Sequence, residues 1–181
     1  MLDWAETIWI SLSWTQLLGI CVVSVLVLWL GGHALPPVRT AKGWAEMPVP
    51  PAVLFPLMAD AQGQLSWRRD LAAVDEQADG GWAETYASGE VIRLRTLESR
   101  PFRRISRRFV SDRADQGRWS ADLTPLSDDR TLVMIEEQTD LSGPWRRLRS
   151  WLFSHPKERL EHYLADLAEA AKKAGKGKRW Q

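Results

Sequence analysis

The chain has 181 residues, with 24 Lys and Arg against 23 Asp and Glu and a formal net charge of +1. Asp3 and Glu6 are the only charged residues ahead of Arg39, so the remainder carries 24 basic and 21 acidic side chains, a net of +3, too small an excess for a nucleic-acid binder. The single cysteine, Cys21, lies in an apolar run, which excludes a disulfide framework, a thiolate metal site and a soluble thiol nucleophile.

Ile8 to Leu30 (IWISLSWTQLLGICVVSVLVLWL) contains no charge. At about 1.5 Å per residue it reaches roughly 34 Å as a helix, enough for a hydrocarbon core of about 30 Å. Ser and Thr can return their hydroxyls to helix carbonyls, so Gln16 is the one costly polar residue. Trp9 and Trp29 stand about one bilayer thickness apart, as interfacial anchors do. Arg39 and Lys42 follow the span and no Lys or Arg precedes it, so the positive-inside rule places the soluble part in the cytoplasm. The absence of a basic n-region and of a small-residue cleavage site speaks for a retained inner-membrane anchor rather than a signal peptide.

The expected division is a flank over 1–7, a transmembrane helix over 8–32, a linker over 33–39, one domain over 40–173 and a basic tail over 174–181. Gly31-Gly32 and Pro36-Pro37 end the span. Residues 40–49 read as a strand, and Val53, Leu54, Leu57 and Met58 as a short helix begun by Pro50-Pro51. Residues 59–70 form a second short helix or a loop carrying Trp67. Six strands then follow, over 71–76, 82–87, 91–98, 103–112, 118–125 and 131–141, separated by hairpin-sized turns, which implies an antiparallel meander. Beyond Pro144 the helical period returns at Trp145, Leu148 and Leu152. Ser154 caps a last helix whose stripe is Leu160, Tyr163, Leu164, Leu167 and Ala171. Helices set against one antiparallel sheet make an α+β domain.

This order, with Trp67 after the short helices, the WAET run at 82–85, the E-x-x-P pattern at Glu98–Pro101 and the amphipathic C-terminal helix, resembles the START-like superfamily. That superfamily is also called SRPBCC and includes polyketide cyclase/dehydrase-type and ubiquinone-binding-type domains. The resemblance implies a helix-grip fold, a curved sheet wrapped around a long C-terminal helix, with a cavity for a lipid, quinone or polyketide-like molecule between them. It supplies no catalytic residue and does not account for the anchor.

On that reading the cavity wall includes Ile92, Leu94, Val133 and Ile135 of the sheet and Tyr163, Leu164 and Leu167 of the helix, with the inward strand parity open. An acid–base enzyme of the cyclase or dehydratase kind would use Glu84, Glu136 or Glu137 beside Tyr86 or Arg93. A third reading is a tethered protein-interaction module with a filled core, favoured if no cavity exceeds about 300 Å³. The arginines from Arg93 to Arg113 form either a solvated outer face or a surface for anionic headgroups or an acidic partner. Arg93 and Arg95 point outward, joined by Arg104 and Arg108 or by Arg103 and Arg107 according to register. The basic segment Lys172–Trp180 is either a solubilising tail or a second membrane contact. His33, His155 and His162 have no metal or nucleophile spacing, and Gly80-Gly81 sits in a hairpin turn rather than a phosphate loop, so neither metal nor cofactor is expected. Trp44, Trp67, Trp82 and Trp119 are assigned to the core or to packing across strands, or to a cavity wall.

Overall fold

Period-two alternation from Leu71 onward becomes six consecutive strands, and the stretch after the anchor supplies a seventh. The computed structural model describes residues 13–112, 115–153 and 155–177. The strands are β1 (Val38–Met47), β2 (Leu71–Glu76), β3 (Trp82–Tyr86), β4 (Val91–Arg100), β5 (Arg104–Ser111), β6 (Gln116–Ser127) and β7 (Arg130–Asp140). They form one antiparallel sheet in the order β1-β7-β6-β5-β4-β3-β2. The meander expected of the last six is therefore present, and β1 completes it by pairing with β7, Lys42 opposite Glu136.

Parity decides what the sheet buries. On β7, Thr131, Val133, Ile135 and Glu137 face inward and are buried, while Met134 and Glu136 between them face out. Against this inner face lies the C-terminal helix α4 (Pro156–Gly177), with Leu160, Leu164, Leu167 and Ala171 in the core. A Cβ at Gly43 of β1 would lie 2.9 Å from Leu160 Cδ2 and 3.1 Å from Leu164 Cδ1, so this glycine lets the helix approach the sheet. The short helix α2 (Pro51–Ala59) closes one end through Leu54 and Met58. A 3-10 turn, Gly63–Ser66, then delivers Trp67 and Arg68.

Several expectations need correction. Trp44 is 70% exposed; it lies on the outward parity of β1 opposite Met134, so of the places expected for it the cross-strand one holds, and core and cavity do not. The α4 helix continues to Gly177, past the tail boundary expected at 173/174, because Gly175 seats it on Val49, where a Cβ would come within 2.9 Å of Val49 Cγ1. The rest of the tail, Trp180 included, lies outside the described residues, as do Ser154, Arg113 and the start of the apolar span with Trp9.

The first helix, α1, runs Trp14–Ala34 and is long and apolar enough to cross a membrane. Its 21 residues reach about 31 Å. Gln16 is not an unpaired cost: its side-chain oxygen accepts the Ser13 N–H at 2.9 Å, while its own N–H donates to Ser13 Oγ at 3.4 Å, a capping box. Gly31 and Gly32 do not end the helix. At Gly32 the helix α3 (Pro144–Phe153) crosses so closely that a Cβ would run into the Pro144 carbonyl oxygen, which is why the position is glycine.

Candidate functional site

The inward residues of β3 are Trp82, Glu84 and Tyr86, two apart on one face. Strand β5 adds Arg107, β6 adds Trp119 and β7 adds Glu137, while α4 covers them with Arg159 and Tyr163. Arg68 enters from the loop after the 3-10 turn. All of these but Trp82, which stands behind Glu84 and Arg107, line a cavity under the helix of about 60 Å³, room for only a few waters. Beside it, sharing Ile92, Phe109 and Arg159, a cleft of about 300 Å³ runs out between the sheet and Arg149 and Phe153 of α3.

Two buried arginines meet here with opposite bonding. All five Arg68 N–H groups have partners. Nη1 donates to Glu84 Oε2 at 2.9 Å and to Gln64 Oε1 at 3.1 Å; Nε and Nη2 donate to the Asp70 carboxylate at 3.1 and 2.8 Å; and Nη2 also reaches Tyr86 Oη at 3.1 Å. Burial by itself would lower the Arg68 pKa, but the Asp70 hydrogen bond and the charges of Glu84 and Asp70 outweigh it and raise it. Glu84 is the hub: Oε1 accepts Trp82 Nε1–H at 3.0 Å, and Oε2 also accepts the Tyr86 hydroxyl at 3.1 Å.

Arg107 has no carboxylate partner among the described residues. Its Nη2 donates to the Met58 carbonyl at 2.5 Å, its guanidinium carbon lies 4.8 Å from the Trp82 ring and 5.3 Å from the Trp119 ring, and its Nε is buried without a hydrogen bond. Burial lowers its pKa, though an arginine stays charged in a protein. Tyr163 Oη is buried and equally without a partner.

Of the residues assigned from sequence to the wall, Ile92, Leu94 and Tyr163 line the cavity. Val133, Ile135, Leu164 and Leu167 face the same interior but are packed in the core beside it. Among the acid–base candidates, Glu84 is buried within the network. Glu137 is paired with Arg159, and Glu136 is on the outer face with Lys42 and Gln138. Arg93 is exposed and Tyr86 serves Glu84. The register turns Arg104 and Arg108 outward and Arg107 inward. The signal for that was in the sequence: Ile105 and Phe109 share the parity of Arg107. Arg68 carried no such signal, since it lies in a loop. Among the described residues no group of three or more His, Cys, Asp or Glu is placed to hold a metal.

Tyr86 and Tyr163 are the only tyrosines of the chain. Burial pushes Tyr163 up to about 12, against the opposing pull of Arg107 and Arg68, and burial with Glu84 also raises Tyr86. Both phenols are therefore expected to stay protonated in the folded protein at pH 10–11, where exposed tyrosines ionise. Their contribution to stability is complete below the unfolded pKa of about 10 and is lost as pH rises toward the folded values. Absorbance near 295 nm should stay flat through that window and rise with unfolding; a half-ionised signal at pH 10 in folded protein would contradict the burial of both.

No family model and no curated protein match this sequence. Solved structures do. A START superfamily protein from Mycobacterium smegmatis superposes with a TM-score of 0.58 at 15% identity, covering 74% of this chain and 97% of its own. The ZhuI aromatase/cyclase from Streptomyces sp. R1128 gives 0.63 at 13% identity, covering 75% and 94%. A conserved protein from Geobacillus kaustophilus gives 0.63 at 9% identity, covering 75% and 97%. Nearly the whole of each corresponds to about three quarters of this chain. The sheet and its C-terminal helix thus have the START-like, helix-grip fold.

Proposed function

We propose that this is a single-pass membrane-anchored domain that binds a hydrophobic small molecule bearing an oxygen function, of the lipid, quinone or polyketide-like kind. The observation that carries the reading is the pair of unpartnered buried donors, Arg107 Nε and Tyr163 Oη, on two elements lining one cavity. A buried donor without an acceptor costs about 1–3 kcal/mol, and a ligand carbonyl or carboxylate would remove that cost. The small cavity fits only such a polar end; the rest of the molecule would run past Ile92, Phe109 and Phe153 along the cleft, whose other walls are polar and include Arg39, Glu90, Asp115 and Arg149. In this reading α1 tethers the domain to the inner membrane with the domain on the cytoplasmic side, since Arg39 and Lys42 follow the span. A ligand that partitions into lipid then needs no aqueous journey.

The fit of the neighbouring aromatase/cyclase does not extend to an acid–base mechanism here. Glu84 already accepts three hydrogen bonds, about three of its four acceptor positions, and Glu137 is held by Arg159. The interaction-module reading is the weaker by volume: the cavity under the helix is small, but the adjoining cleft reaches about 300 Å³ and a hollow along Trp82, Arg93 and Val110 about 560 Å³, the size of an ordinary ligand pocket.

Native mass spectrometry of the full chain, extracted gently from its membrane, separates these. Co-purification of one stoichiometric apolar molecule is expected, and Tyr163→Phe should reduce its retention several-fold while leaving thermal stability unchanged or slightly raised, because the deleted hydroxyl has no partner. A clean apo-protein in both would favour the interaction module.

A further inference from the structure

Helix α3 is unlike the other elements of the domain: none of its residues is buried, although it is rich in large apolar side chains. Trp151 is 64% exposed, Leu152 50% and Trp145 47%. At 100° per residue Pro144, Trp145, Leu148, Trp151 and Leu152 fall within an arc of about 120°, an amphipathic stripe. The remaining face carries Arg146, Arg147, Arg149 and Ser150 together with Phe153, which is 76% exposed and lines the cleft, and the helix has no acidic residue. Tryptophans on one side and arginines on the other, with low overall hydrophobicity, are the composition of a helix lying in a membrane interface.

Its position argues the same. The collision-free approach at Gly32 holds the start of α3 against the last turn of α1. Arg147 Nη1 reaches the carbonyls of His33 and Leu35, at 3.5 and 3.4 Å, where α1 ends. From the other side Arg39, the first basic residue after the span, donates to the Ser150 carbonyl. The helix is therefore fastened at the exit of the apolar segment, at the depth where headgroups would lie. The described end of α4 does not share that place: it meets Val49 at Gly175, beyond the far end of β1, about 30 Å from Val38 at about 3.3 Å per residue.

We propose that α3 is an interfacial helix with its Trp145–Leu152 stripe in the acyl boundary of an anionic leaflet and its net positive charge at headgroup level, and that it forms the lip of the ligand cleft. The second part follows from Arg149, Ser150 and Phe153 lining that cleft; its mouth then opens at the bilayer surface rather than into water. The proposal rests on α1 spanning the membrane and on the cleft being a ligand path.

Depth measurement by spin-label accessibility tests it with the full chain in phosphatidylcholine vesicles with and without phosphatidylglycerol. Labels are placed in turn at native Cys21, and, with Cys21 replaced by serine, at Leu152→Cys and at Asp128→Cys in the β6–β7 hairpin. The expected result is an oxygen-to-nickel-chelate collision ratio at 152 several-fold above that at 128, rising further with phosphatidylglycerol. Gly32→Leu should pull the 152 value toward the aqueous one by displacing α3, with Cys21 unchanged. A lipid-buried Cys21 with an aqueous 152 overturns the interfacial helix and leaves the span standing. An aqueous Cys21 overturns both. A 152 label aqueous in vesicles but immobilised in native membranes means that a protein covers α3, which also overturns the lipid assignment.

Discussion

Replacing Arg68 by methionine is expected to lower the stability of the full chain by about 3–5 kcal/mol, the usual cost of leaving one member of a buried ion pair behind. The side chains of Arg68 and Glu84 are 6% and 2% exposed, so water cannot take over the missing hydrogen bonds. Glu84 would keep only Trp82 and Tyr86 as donors. Asp70, with a side chain 37% exposed, would turn to solvent, and Gln64 Oε1 would lose its charged donor. For a domain of this size each kcal/mol lowers the melting temperature by roughly 2–4 °C, so near-UV circular dichroism in detergent should show a drop of about 10 °C. A change within about 1 kcal/mol would mean that the network is not what holds the loop carrying Trp67 and Arg68 to the sheet.

The same substitution at Arg107 is expected to go the other way. Arg107→Met should leave stability within about 1 kcal/mol of the parent and abolish retention of the co-purifying ligand. The guanidinium is buried without a carboxylate, so its removal returns a desolvation cost of several kcal/mol. The Met58 carbonyl does not become an orphan, because Gln64 Nε2 already donates to it at 3.0 Å. Contacts of the cation with Trp82 and Trp119 are worth about 0.5–2 kcal/mol each, partly replaced by sulfur–aromatic contacts of about 0.3–1.5 kcal/mol. Thermal melts and native mass spectrometry on the two variants side by side give the decision. If Arg107→Met unfolds as readily as Arg68→Met, Arg107 is a structural residue and the ligand reading loses its principal support.

On the proposed reading α1, α3 and the cleft form one arrangement. Lipid would carry the ligand to the mouth, α3 would hold the mouth at the bilayer surface, and Arg107 with Tyr163 would receive the polar end. Arg68, Glu84 and Tyr86 act beneath it as a fixed base that keeps β3 and the Trp67 loop in place.

Most elements are legible from periodicity, and so is which residues share a face. An uncharged run longer than 20 residues admits few alternatives to a long apolar helix, and alternation in Val91–Leu97 and Leu132–Glu137 groups Ile92 with Leu94 and Val133 with Ile135 on one face of each strand, while which face turns inward is set only by the fold. Leu160, Leu164 and Leu167 were legible for the matching reason at a period of 3.6. Tertiary structure alone decided which inward residues fill space and which leave it. Val133 and Leu167 meet each other's neighbours in the core, whereas Ile92 and Tyr163 border a gap, and that depends on where α4 crosses the sheet, a distance set by Gly43 and invisible to periodicity. It also decided the fate of charges. Register sent Arg107 inward and Arg108 outward, and the fold brought Arg68 from a loop to Glu84 on a strand sixteen positions away, because a buried charge must find its partner through space, and sequence spacing does not encode that meeting.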